Sequence, residues 1–166
     1  MTAPAVVAGA VIALAAGTPA FEPPRFAAAR AEQRALCGTW VATAGVRDGT
    51  AIPKDDLARV RLTFGVRPND PTALTADLRG VFPDPAARTA SVVVLAWRTP
   101  ARFQVCRYYS GCGLCVEGLY ERDGDTLRLC VNPRLDPASL TAVRSPTAFA
   151  APAGSGLTLL TLKREK

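Results

Sequence analysis

The chain contains no histidine. That absence removes Ser/His and Cys/His nucleophilic arrangements, HExxH metal sites and Cys2His2 fingers together, because each needs an imidazole. Lysine is scarce, confined to Lys54, Lys163 and Lys166. The formal net charge of +6 and the pI near 9.4 therefore rest on arginines, scattered from Arg25 to Arg164 without a run of three. A phosphate-binding surface clusters its basic residues on one element, with aromatics interleaved for single strands. This scatter, beside abundant Ala, Gly and Pro, instead reads as a compositional bias of the source genome, so no nucleic-acid partner is expected. Gly111, Gly113 and Gly118 lack the strand-then-helix context of a dinucleotide fingerprint, and neither a phosphate-binding glycine loop nor EF-hand spacing occurs. Asp55-Asp56 and Asp123-x-Asp125 are close carboxylate pairs. The first sits where a short helix begins, a place that favours acids, and the second belongs to a turn. Neither reads as an acid/base pair, so no catalytic residue, no metal site, no cofactor and no enzymatic activity are expected.

What is present is a globular composition. The 166 residues are 49% hydrophobic and 20% charged, enough for one domain with its own core. Met1 to Ala20 carries no charge, with an apolar stretch from Ala5 to Ala16 followed by Gly17-Thr18-Pro19-Ala20. The stretch is shorter than the ~20 apolar residues of a membrane span, and it resembles a secretory signal peptide cleaved after Ala20. The first residues lack the usual Lys or Arg, and no cysteine follows until Cys37, which argues against a lipoprotein anchor. The expected organisation is a signal peptide over 1–20, a linker and short helix over 21–35, and one domain over 36–166. The expected location is outside the cytoplasm, in the periplasm, cell envelope or medium, with a cytoplasmic location as the alternative.

After Pro23-Pro24, the segment Phe26 to Leu36 is rich in helix formers and free of breakers, and predicts a short helix. From Gly38 the pattern changes to short apolar and β-branched runs separated by turn residues, the spacing of an all-β barrel or sandwich. The expected strands are Gly38–Val46, Arg59–Val66, Ala73–Phe82, Thr89–Arg98, Arg102–Tyr108, Leu114–Glu121, Thr126–Val131 and Leu157–Arg164. Asp48-Gly49 and Asp123-Gly124 are hairpin signals. Val60, Leu62 and Phe64 alternate with Arg59, Arg61 and Thr63, and Leu127, Leu129 and Val131 with Arg128 and Cys130, which gives each strand a buried face and a wetter one. Asn132 to Pro152 reads as a long loop with a helical turn around Pro137 to Val143. The expected fold is an all-β, antiparallel up-and-down barrel of about eight strands with a short N-terminal helix.

Three blocks of residues carry a resemblance. They are Leu36-Cys37-Gly38-Thr39-Trp40, Gly118-Leu119-Tyr120 running into Asp123-Gly124-Asp125-Thr126-Leu127-Arg128-Leu129-Cys130, and the closing Pro146-Thr147-Ala148-Phe149, Gly154-Ser155-Gly156 and Leu160 to Glu165. In this order they resemble an uncharacterised lipocalin-like domain family abundant in planctomycete bacteria, over about Gln33 to Glu165. Gly38-Thr39-Trp40 is similar to the Gly-x-Trp signature of lipocalins. The resemblance implies a lipocalin-like barrel in which Trp40 closes one end and a basic side chain from near the C-terminus, Arg164 or else Lys163 on the other face, packs across its ring. The implied role of Gly38, Trp40 and Arg164 is structural.

The sequence departs from the family pattern between Arg102 and Val116, where Cys106, Cys112 and Cys115 cluster. Cys112-Gly113-Leu114-Cys115 matches the CxxC redox pattern, yet that chemistry needs the first cysteine at a helix N-terminus, and here a strand follows. A zinc site from these three and a distant fourth thiol would lack the second paired knuckle of structural zinc sites. The remaining reading is a stapled loop, with Cys106 facing Cys115 across a hairpin or Cys112 pairing with either. Cys130 reads as a small buried thiol. The functional expectation is a non-enzymatic, exported lipocalin-like barrel binding a small apolar ligand through residues the sequence does not name. The alternative is a structural or protein-interaction domain with a filled core, and a zinc or thiol-redox protein ranks third. No stable membrane span is expected, and the oligomeric state stays open.

Overall fold

Turn chemistry and alternation divide the chain into nine strands and two short helices in the computed structural model, which describes residues 24–67, 70–82, 89–109, 112–133 and 145–166. In chain order these are α1 (Pro24–Leu36), β1 (Gly38–Arg47), β2 (Thr50–Ala51), α2 (Lys54–Leu57), β3 (Arg61–Arg67), β4 (Asp70–Arg79), β5 (Thr89–Leu95), β6 (Arg102–Tyr109), β7 (Cys112–Asp123), β8 (Thr126–Val131) and β9 (Thr158–Arg164). Every strand pairs antiparallel with its neighbour in the order β2-β1-β3-β4-β5-β6-β7-β8-β9, and β1 pairs again with β9. That last pairing closes eight strands into an up-and-down barrel with β2 attached outside the ring. Closure leaves these eight without a free edge, which is how an all-antiparallel sheet avoids pairing with other chains.

The elements differ from the sequence expectation mainly at their ends. Helix α1 starts earlier than Phe26, at Pro24, whose fixed φ suits a first helical turn. Arg59 and Val60 fall outside β3, because their amides bond back to Asp56 and Leu57 at the end of α2, although Val60 is still buried. Strand β4 begins before Ala73 and stops at Arg79, where Gly80 turns the chain at φ 76° and sends Val81 and Phe82 into the core. Strand β5 ends at Leu95 rather than Arg98, since 96–100 form the turn into β6. Asp48 and Gly49, at φ 50° and 82°, make the tight link from β1 to β2, a strand the sequence reading did not anticipate. The expected signal peptide over 1–20 and the helical turn around Pro137 to Val143 lie outside the described residues.

Inward-facing residues alternate along the strands: Phe103 and Val105 on β6, Leu127, Leu129 and Val131 on β8, and Thr158, Leu160 and Leu162 on β9 are all buried. Part of the outer side of the β7–β8 wall is buried as well. Leu119 and Cys130 face each other across that pair with no exposure, and the Cys130 thiol meets the Ala150 carbonyl at 3.4 Å. Cys130 is thus the small buried thiol expected of it, covered on this side by the segment that carries Ala150.

The β3–β4, β5–β6 and β7–β8 connections share one barrel end, and α1 packs there against β3, β4 and β5, burying Ala29, Gln33 and Leu36 at helical spacing. Helix α2 packs on β1 with Leu57 buried.

Candidate functional site

The end covered by α1 is built around Trp40, which has no solvent exposure. Arg164 is its direct partner in the β1–β9 register, and the guanidinium carbon sits 4.3 Å from the Trp40 ring centroid, a cation–π contact. Lys163 takes the opposite side of β9 and donates to the Thr126 hydroxyl at 2.5 Å. A helix ends with carbonyls that its own backbone leaves unpaired. Here Trp40 Nε1 donates to the Leu36 carbonyl at 2.8 Å, Arg164 donates to the Cys37 carbonyl at 2.5 Å, and its second amino group reaches the Ala35 carbonyl. Asp125 completes the cluster with an ion pair to Arg164 Nε at 3.3 Å. Gly38 is required by geometry: its φ is 119°, and a Cβ there would lie 2.9 Å from the Arg164 guanidinium. Gly38, Trp40 and Arg164 thus form one cluster that ties α1 to the barrel, with no reacting group in it.

Cys106 and Cys115 are direct partners in the β6–β7 register and form a disulfide, with their Cα atoms 4.2 Å apart. Cys112 lies on the same strand as Cys115. A rise of about 3.3 Å per residue puts two such Cα atoms ~10 Å apart, beyond disulfide reach, so the CxxC pattern here is not a dithiol pair. Cys37 and Cys130 are free thiols, and burial pushes both up from the ordinary thiol value, which disfavours the nucleophilic thiolate. Among the described residues, no group of three or more Cys, Asp or Glu is placed to hold a metal ion. Asp55 and Asp56 occupy the first turn of α2, and Asp125 is engaged with Arg164.

Two cavities bear on binding. Among the described residues, a cavity inside the barrel, lined by residues such as Leu62, Phe82, Val92, Phe103 and Leu160, holds about 10 Å³. The second is a cleft of about 430 Å³ at the α1 end, between Ala28 and Glu32 of α1, Ala96, Pro100 and Ala101 of the β5–β6 turn, and Tyr120 to Arg122 of β7. Glu32 and Arg122 form a two-pronged ion pair at 2.8 and 3.0 Å, with both side chains about a quarter exposed or less. That pairing holds Arg122 above the usual guanidinium value, and burial, reinforced by the nearby Glu32 charge, pushes the Tyr120 phenol well above its ordinary value.

Sequence reading found the closing cluster and the disulfide candidates but not this cleft. Glu32 and Arg122 are 90 positions apart, and no spacing rule links a helix residue to the end of a distant strand. No family model matches the chain, and neither the curated proteins nor the solved structures contain a match to it.

Proposed function

We propose that this domain is a non-enzymatic, exported lipocalin-like barrel of the filled-core kind, a structural or protein-interaction module that works through its outer surface. The observation that carries the reading is the interior volume of about 10 Å³, room for no more than a water molecule, against the ~300 Å³ or more of a small-molecule pocket. A lumen ligand, the first expectation from the resemblance to lipocalin-like domains, would require side chains such as Phe103 and Leu129 to leave the core. Membership of the planctomycete-abundant family belongs to the same proposal, supported by the placement of Gly38, Trp40 and Arg164. Support for export comes from the Cys106–Cys115 disulfide, a bond that persists in oxidising compartments and is rare where thiols are kept reduced. Among the described residues no helix is long and apolar enough to cross a membrane.

Titration with 1-N-phenylnaphthylamine, an apolar dye whose emission rises in a dry pocket, tests the central point. No saturable signal that depends on lumen residues is expected. A saturable one-to-one signal abolished by Ala90→Leu, a substitution that adds volume to the core, in a chain still folded by circular dichroism, would overturn the reading and restore the lumen ligand.

A further inference from the structure

We propose that the cleft between α1 and the β5–β6 turn binds a small neutral ring compound with one hydrogen-bonding edge, such as a phenol or an aryl ester. The proposal rests on the reading that this domain acts through its outer surface. Its size is the first argument, since about 430 Å³ falls within the range of small-molecule pockets, whereas the barrel interior does not. That space exists because Ala28 of α1 and Ala96 and Ala101 of the β5–β6 turn present single methyl groups where longer side chains would close it.

Charge decides the ligand class. Both acids lining the cleft are already engaged: Glu32 with Arg122, and Glu121 with Arg128 at 2.8 Å. An anion would have to displace Glu32 from Arg122, and a cation would have to displace Arg122 from Glu32. Each exchange gives up a charge-assisted, two-pronged pair in a partly desolvated place. A neutral molecule leaves both pairs intact. Its polar edge has a partner in the Tyr120 hydroxyl, which like any phenol is protonated at neutral pH and can donate. Its apolar body meets Pro100, the alanine methyls and Phe149, whose ring is held by Arg128 at 4.9 Å from the centroid. Ligand sites combine apolar walls with placed polar groups, and here Ala28, Ala96, Pro100, Ala101 and Phe149 supply the first while Tyr120 and the mutually engaged Glu32 and Arg122 border them.

Methyl 4-hydroxybenzoate serves as the probe, titrated into uniformly 15N-labelled full chain and followed by amide chemical shifts. Saturable shifts are expected at the amides of Ala28, Ala96, Ala101 and Arg122, with a Kd of about 1 mM or below for a molecule of this size. Ala28→Trp, on the exposed side of α1, should weaken binding at least about tenfold by filling the cleft, and Tyr120→Phe by about three- to tenfold through loss of one hydrogen bond. Should the tryptophan variant fail to fold, the phenylalanine variant carries the test. Benzoate and benzylammonium should each bind at least about tenfold more weakly than the neutral probe. Equal binding of either ion, or no saturable shift up to the solubility limit, would overturn this inference alone. Saturable shifts confined to lumen-facing residues such as Leu62, Val92 and Leu160 would overturn it together with the filled-core reading.

Discussion

The two ends of this barrel are secured by different means. At the α1 end, Trp40 and the last carbonyls of α1, Arg164 and Asp125 are brought together from three separate stretches of chain. In the β6–β7 hairpin the Cys106–Cys115 bond joins residues only 9 apart in sequence that already face each other in the strand register. The first arrangement exists only once the barrel has closed, because Arg164 lies on the last strand and Trp40 on the first. The second can form as soon as one hairpin does. The difference assigns distinct work to each: the tryptophan cluster couples α1 and barrel closure, and the disulfide limits the freedom of one hairpin.

Removing the centre of the coupled end should have the largest effect. Trp40→Ala empties a fully buried site and strands the Leu36 carbonyl, and should cost about 3 to 5 kcal/mol in denaturant unfolding, with faster amide exchange in α1 and along the β1–β9 seam. A loss under about 1 kcal/mol would mean that α1 and barrel closure are not coupled through this ring.

Breaking the covalent end should cost less and stay local. Replacing both Cys106 and Cys115 by Ser releases a closed loop with sequence separation 9, which the chain-entropy model values at about 2.5 kcal/mol. Hydrogen exchange should rise in β6 and β7 while α1 keeps its protection. Equal loosening of α1 would erase the distinction between the two ends.

Arg164→Ala should follow at about 2 kcal/mol, the combined loss of a cation over an indole and of hydrogen bonds to the Ala35 and Cys37 carbonyls. Arg164→Lys should recover only part of it, since one ammonium cannot lie flat on the ring and reach both carbonyls. Full recovery by lysine would show that charge alone matters there.

The smallest effect concerns Tyr120, beside the Glu32–Arg122 pair at the α1 end. Its phenol ionises at higher pH in the folded protein than the ordinary value of 10.0, with burial as the main cause. Above that value the unfolded chain releases a proton that the folded one keeps, so the unfolded state binds fewer protons and stability falls as pH rises. Below it the two states hold the same proton and the contribution is flat. Tyr120→Phe should therefore give a shallower loss of stability between about pH 9.5 and 11 than the parent chain. Identical slopes would mean that water reaches the phenol freely.

How much of this was legible beforehand varies with the range of the interactions. Val60, Leu62 and Phe64 against Arg59, Arg61 and Thr63 encode a buried and an exposed face by period alone, and Asp48-Gly49 supplies the positive φ of a tight turn. Such features are local, so the barrel class and most strands could be read from neighbouring residues. Cys130, expected as a small buried thiol, is buried although alternation alone points it outward, because a segment some twenty residues further on covers it. Strand ends were misplaced where a backbone amide chose a non-ladder partner, as at Val60.

By itself, then, the sequence determined the secondary pattern and the set of cysteines available for a bond, because these depend on residue type and short spacing, whereas the closing role of Trp40 was implied only by the resemblance to lipocalin-like domains. Only the tertiary structure decided which basic residue covers Trp40, which two cysteines join, and that Ala28, Ala101 and the Glu32–Arg122 pair border a cleft. Those outcomes depend on register and on side-chain volumes summed across distant strands. A one-residue shift in pairing would turn Lys163 toward the ring in place of Arg164, and no local pattern records that choice.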